Sequence, residues 1–256
     1  MVPDSVRLKI IWSKKHLDTL DSEIEQWRSG SRNPFRLQRI RDGVPLTEFR
    51  AKVRFDPTIP DSIPLLIGDA VHNLRSALDH LACALVNTKG PSTYEAGRTR
   101  IEFPIFADQV KFKSNGASKI RKMDTEARKE IEAVQPYHAG DNARSGRLWI
   151  LHQLDIIDKH RQITIMGGRY SLPASFQPKT PSGEEIVVDG RIYVPFKDGD
   201  IIRLVDVDPG FQPDLKGAIA CRWEDGAHRI LDIGALRLIH EHVAAEVVPR
   251  FARFFA

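Results

Sequence analysis

A chain of 256 residues and 29.0 kDa has room for one large domain or two modest ones, and 41% apolar with 28% charged residues describes a globular protein that buries a core. The net charge of +4 and pI near 9.1 permit an anionic partner without requiring one. A membrane helix needs roughly 18–20 consecutive apolar residues; the longest run here, Leu81 to Val86, has six, so no membrane association is expected.

In chain order, Val6, Ile10, Leu17, Leu20, Ile24 and Trp27 fall near helical spacing, which predicts an amphipathic helix over 6–28, stopped by Gly30 and Asn33-Pro34. A β-hairpin is expected next, with strands over 35–41 and 47–55 and a turn at Asp42-Gly43. Pro57, Pro60 and Pro64 lead into a long helix over 62–87, which Lys89-Gly90-Pro91 ends. Residues 101–106 read as a short strand. Asp124 or Thr125 can cap a helix that halts at Pro136, and a helix over 145–161 passes directly into β-like sequence at 162–166. Segments 185–188 and 191–195 then flank Asp189-Gly190, a strong hairpin signal. Strand patterns over 200–207 and 217–223 follow, and a helix from about 233, kinked or split at Pro249, closes the chain. The expected class is α+β. Residues 1–166 form a helical-bundle half with an inserted basic hairpin at about 35–55, and 167–256 form a small antiparallel sheet capped by the C-terminal helix. One integrated domain is the alternative.

Charge is uneven along this plan. Residues 28–54 hold eight basic and two acidic residues, a local +6 that exceeds the net charge of the whole chain. Strand 47–55 alternates Phe49, Ala51, Val53 and Phe55 with Arg50, Lys52 and Arg54, so the cations form a ladder with rungs about 6.6–6.8 Å apart. Arg39 and Arg41, on the neighbouring strand, are expected to widen it. Such a ladder suits RNA or another polyanion; it equally suits an edge strand guarded by cations against aggregation. With the phenylalanines on the opposite face, binding would be backbone-driven and weakly sequence-specific.

The helix over 62–87 has a clean apolar face of Ile67, Ala70, Val71, Leu74, Ala77, Leu78, Leu81 and Leu85. Its opposite face carries Asp69, His72, Asn73, Arg75, Ser76, Asp79, His80 and Cys83, without one Lys or Glu. Short polar residues lower helix propensity and make poor solvent decoration, which points to a partly buried polar site. The helix over 145–161 is apolar around most of its circumference (Trp149, Ile150, Leu154, Ile156, Ile157) and bears a polar stripe of His152, Asp155, Asp158 and Lys159, with Arg161 to one side. Arg75 could pair with Asp155 or Asp158 across the two helices. The bland alternative is a structural ion network with an Arg75–Asp79 pair at i,i+4.

The segments Gly68-Asp69-x-x-His72-Asn73-Leu74-Arg75-Ser76-Ala77-Leu78-Asp79-His80, Phe103-Pro104-Ile105, Gln135-Pro136-Tyr137 and Leu154-Asp155-x-x-Asp158-Lys159-His160-Arg161 resemble a widespread bacterial family with no established activity. More distantly, Arg75-Ser76-x-x-x-His80 resembles the signature of the HEPN superfamily, helical proteins that include metal-independent ribonucleases with sites composed across a homodimer. The resemblance implies a catalytic set of Arg75, Ser76, Asp79 and His80. Arg75 would stabilise phosphoryl charge and His80 would act as general acid or base, supported by Asp69, His72, His152, Asp155, Asp158, Lys159 and Arg161. Ser76 stands where that superfamily usually has Asn, Asp or His. Three other Arg–His pairs have the same form, Arg147/His152, Arg222/His228 and Arg237/His242, and only Arg75/His80 stands on the polar face of the long helix.

Asp69-x-x-His72 and His152-x-x-Asp155 also have the spacing of helix-bundle metal ligands, but with Asp in place of Glu and one pair reversed. No metal or other cofactor is expected. Cys83 and Cys221 lack metal-type spacing, and the first 15 residues show no secretion signal, so a cytoplasmic location is expected. The preferred reading is an RNA-acting protein, a metal-independent endoribonuclease of toxin or defence type if it is catalytic. The rival is a non-catalytic nucleic-acid-binding or regulatory module whose polar helix pair is structural. A homodimer is compatible with either.

Overall fold

The computed structural model describes residues 1–29, 35–46, 48–55, 60–88, 90, 101–160, 164–170, 186–188, 191–193, 199, 201–205, 215–224 and 228–255. Helices and antiparallel strands together make the chain α+β. It divides into two compact units that interleave along the sequence: 1–20, 65–163 and 234–256 form one, 21–64 and 164–233 the other. The units interleave, where the sequence suggested a boundary at 166/167, because a hairpin strand pairs with a strand from the C-terminal half and the last helix pairs with the first.

The helical unit contains most of α1 (Asp4–Ser29) and α2 (Ser62–Asn87), then a short α3 (Gln109–Lys111, with a wider turn Phe112–Gly116 leading to Ala117–Ile120), α4 (Thr125–Ala133), a tighter helical stretch Pro136–Ser145, α5 (Arg147–His160) and α6 (Ile233–Glu241). Asp124 caps α4 by accepting the Glu126 N–H at 2.9 Å. All eight apolar residues of the α2 stripe are buried. Ala70, Val71 and Leu74 of the stripe line a small apolar cavity with Leu17 of α1, Leu151 and Leu154 of α5, and Leu236 and Ile239 of α6. The Ser13 hydroxyl, itself buried, donates to the Ala70 carbonyl at 2.8 Å and ties α1 to α2.

The C-terminal helix runs antiparallel to α1. The Met1 ammonium donates to Phe255 O, His240 Nε2 to Ile10 O, and Arg237 to Leu17 O and Asp18, so positions rise along one helix as they fall along the other. It therefore belongs to the helical unit. Beyond Glu241 it loosens over His242–Val247 and tightens over Val248–Phe255. Pro249 cannot donate into the helical ladder and crowds the preceding turn, which accounts for the change of winding.

The second unit holds β1 (Phe35–Ile40), β2 (Glu48–Phe55), β3 (Thr164–Tyr170), β4 (Ile186–Val188), β5 (Arg191–Tyr193), β6 (Ile201–Val205), β7 (Leu215–Glu224) and β8 (His228–Asp232). They form antiparallel sheets in the orders β1-β2-β6, β3-β7-β8 and β4-β5. Gly43, at φ +67°, makes the turn after β1, a conformation that favours glycine. Asp189-Gly190 lies outside the described residues.

In α2, Gly68 leaves room for the Asp158 side chain of α5: a Cβ built there would stand 2.2 Å from Asp158 Oδ1. Gly68→Ala should therefore destabilise the protein by about 1–2 kcal/mol despite alanine's better helix propensity. Adding Asp158→Ala should reverse the loss. Thermal melts of the two variants check this, and a Gly68→Ala protein as stable as its parent would contradict the close approach.

Candidate functional site

The sequence suggested a strand over 101–106, but the structure gives an extended segment with no strand partner. Phe103, Pro104 and Ile105 are buried, so their backbone polar groups need partners away from water. Side chains supply them. Arg75 Nη2 donates to Phe103 O at 2.9 Å, the Phe103 N–H donates to Asp79 Oδ1 at 2.9 Å, and Arg75 Nη1 donates to the same carboxylate oxygen at 2.6 Å. From the other side Gln135 Nε2 donates to Pro104 O and Ile131 O, while its Oε1 accepts the Phe106 N–H. The Tyr137 N–H donates to Phe106 O.

Arg75 is only 5% exposed, with its guanidinium shared between Asp79 and a carbonyl. That corrects the expectation that it pairs with Asp155 or Asp158, and it separates Arg75 from His80. His80 is exposed one turn further along α2, without a hydrogen bond or ion pair among the described residues. Ser76 is half-buried. Burial pushes the Asp79 carboxyl above its ordinary pKa, against the pull of Arg75 and the Phe103 N–H.

The supporting residues divide into two groups. Asp155, 2% exposed, accepts from Lys159 Nζ at 2.6 Å and from His72 Nδ1 at 3.4 Å, so α5 and α2 meet through this carboxylate. Asp158 lies against Gly68, and burial, with Asp155 and Asp69 nearby, raises its pKa. His152 makes no hydrogen bond to that group among the described residues, although Asp155 acts on it electrostatically. Burial and the Arg75 charge push its pKa down to about 4, and among the described residues its Nδ1 is buried without a partner, as is Trp149 Nε1 one turn earlier. Asp155, Glu102 and Lys119 also act on it, and Glu102 and Lys119 form an ion pair. Arg161 lies outside the described residues. The two helix-spaced Asp/His pairs meet only through one member of each, His72 and Asp155, and among the described residues no three His, Cys, Asp or Glu side chains gather as a metal site.

Glu102 and Lys119 had no role in the sequence reading, and Gln135 entered it only within the Gln135-Pro136-Tyr137 segment, with no role of its own. Gln135 carried a signal in retrospect, as a polar residue directly before the Pro136 helix stop.

The basic ladder stands on the β1-β2-β6 sheet, and β2 is its central strand, which removes the reading of a cation-guarded edge. Phe49 and Ala51 are buried on one face; on the other, Arg54 is exposed and its Nε donates to Gln38 Oε1 at 3.2 Å, while Arg50 and Lys52 are half-buried. The ladder is not widened by Arg39 and Arg41. Arg39 pairs in register with Ala51, so strand alternation sends it to the other face, over the Phe49 ring at 5.3 Å. Arg41 follows β1 in the turn. The register instead sets Arg36 opposite Arg54 and Arg203 opposite Arg50.

Comparison of the chain with protein-family models, with curated proteins and with solved structures finds no match in any of the three. Among the described residues, no helix is long and apolar enough to cross a membrane.

Arg75→Ala should cost about 1–3 kcal/mol, because it strands a half-buried carboxylate and a buried carbonyl. Arg75→Lys should recover only part of that, since a point charge cannot reproduce the fork. His80→Ala should stay within about 0.5 kcal/mol of the parent in chemical denaturation. Equal costs at the two positions would contradict the separation.

His152 gives a pH dependence. Above about 6.5 it is neutral both folded and unfolded. As pH falls from there towards 4, the unfolded chain takes up the proton and the folded chain excludes it, so stability falls, by on the order of 3 kcal/mol at the lower end. Asp79 and Asp158, with raised pKa values, act in the opposite sense, so the measurement is a difference from a variant. His152→Leu should gain stability over its parent progressively between pH 6.5 and 4; a constant difference would count against a buried neutral imidazole.

Proposed function

We propose that this protein binds nucleic acid through the solvent face of the β1-β2-β6 sheet and does not cleave it. The observation that carries this reading is Arg50, Lys52 and Arg54 in sequence along a central strand, opposite the face that buries Phe49 and Ala51. Phosphate contacts from such cations give affinity and orientation but read no sequence. The absence of aromatic residues between the rungs supports the same conclusion.

The ribonuclease reading needs Arg75 to hold a scissile phosphate beside His80. Arg75 is buried and bound to Asp79 and Phe103 O, and freeing it would strand both partners. The geometry therefore favours a structural role for the α2 and α5 polar residues.

Titration against a mixed-sequence RNA tests this. Affinity should fall steeply between 50 and 200 mM salt, with a slope of about −0.7 per phosphate engaged, and the RNA should remain intact. Arg50→Gln, Lys52→Gln and Arg54→Gln together should flatten that slope by about 2. A salt-independent affinity would refute the reading. So would EDTA-resistant cleavage to a 2′,3′-cyclic phosphate that His80→Ala abolishes; that result would restore the catalytic alternative.

A further inference from the structure

The three-stranded sheet pairs its positions in a pattern that bears on which nucleic acid it takes. On β2 the positions Arg54, Lys52 and Arg50 follow one another at every second residue, and Glu48 ends the row. Across from them on β1 stand Arg36, Gln38 and Ile40. Across from Lys52 and Arg50 on β6 stand Ile201 and Arg203. Basic positions therefore run in a single file, from Arg36 across to Arg54, along β2 to Arg50, and across to Arg203. The positions beside the middle of the file are uncharged.

We propose, resting on the reading above, that this file is a track for one strand of nucleic acid, and that a duplex is the poorer ligand. A duplex presents two rows of phosphates flanking a groove, about 6 Å apart across the minor groove and about 12 Å across the major. Engaging both rows requires a second line of cations, and each flanking strand supplies a single basic position, Arg36 on β1 and Arg203 on β6, at opposite ends of the file, with Gln38, Ile40 and Ile201 at the other positions. A single strand needs only the one file. It also exposes base faces that a duplex keeps stacked, and an exposed apolar side chain adjoins the middle of the track: Ile201, 48% exposed, stands beside Lys52 on β6, while Ile40, half-buried, stands beside Arg50 on the opposite flank, on β1. The bases are the strand's apolar surface, so a base rests on Ile201 while the phosphates follow the cations. The recognised chemistry is the phosphodiester backbone shared by DNA and RNA.

The experiment measures fluorescence anisotropy with oligo-dT, oligo-rU and a DNA duplex of equal length, each from 50 to 200 mM salt. The expected result is that oligo-dT and oligo-rU bind alike and both exceed the duplex by about tenfold or more at the lower salt. Arg50→Gln/Lys52→Gln/Arg54→Gln should lose single-strand binding, while Arg50→Lys/Arg54→Lys should keep it, because point charges suffice on a phosphate track and the Lys variant controls for folding. Ile201→Asp should weaken single-strand binding more than duplex binding. If the duplex binds as tightly as the single strands and the triple Gln variant loses both, the single-strand inference fails and the polyanion reading survives. If the triple Gln variant binds every probe like its parent, the polyanion reading itself fails.

Discussion

The helical unit depends on how it accommodates a buried segment that has no secondary structure. Phe103, Pro104 and Ile105 carry apolar side chains into the interior, and their backbone enters with them. A strand would have bonded that backbone to a neighbouring strand. Here Arg75, Asp79 and Gln135 do so, each serving at least two groups. A buried charge is tolerable only when paired and hydrogen-bonded. Arg75 meets both conditions, and its partner Asp79 bonds the same residue's N–H while Arg75 bonds its carbonyl. Phe103 is thereby held on both sides, and its ring packs edge-on against Phe251, which brings the C-terminal helix into the same core.

This arrangement decides which polar residues are left for a ligand. The most suggestive motif of the sequence, an Arg and a His on one helix, comes apart because the arginine turns inward and the histidine outward. The α2–α5 contact uses Asp155 in a comparable way: a nearly fully buried carboxylate joined to Lys159 on its own helix and His72 on the other, with Asp158 pressed against a glycine. These groups hold helices together. The cations of β2 are different, because strand alternation places them opposite the face that the sheet buries.

The sheet and the helices also differ in the span of chain that specifies them. β2 gains its second neighbour from β6, far along the sequence, and α1 gains its long partner from the C-terminus. Both pairings carry the chain between the units, and they account for the interleaved division.

Periodicity alone determined a good deal. The eight-residue apolar stripe of α2 follows from helical spacing and is buried in full, because burial of a stripe is a property of the helix before any partner is chosen. The alternation of β2, the Asp124 cap and the disturbance at Pro249 are likewise local, each set by a few neighbouring residues. The tertiary structure alone decided the rest. Whether Arg75 faced a ligand or a carbonyl depended on Phe103, a segment whose extended pattern reads as a strand until its partners are known. Whether the basic ladder lay at an edge or at the centre depended on β6, and whether Arg39 joined it depended on a one-residue matter of register. Local spacing says which residues share a face; only the long-range pairing of elements says what that face meets.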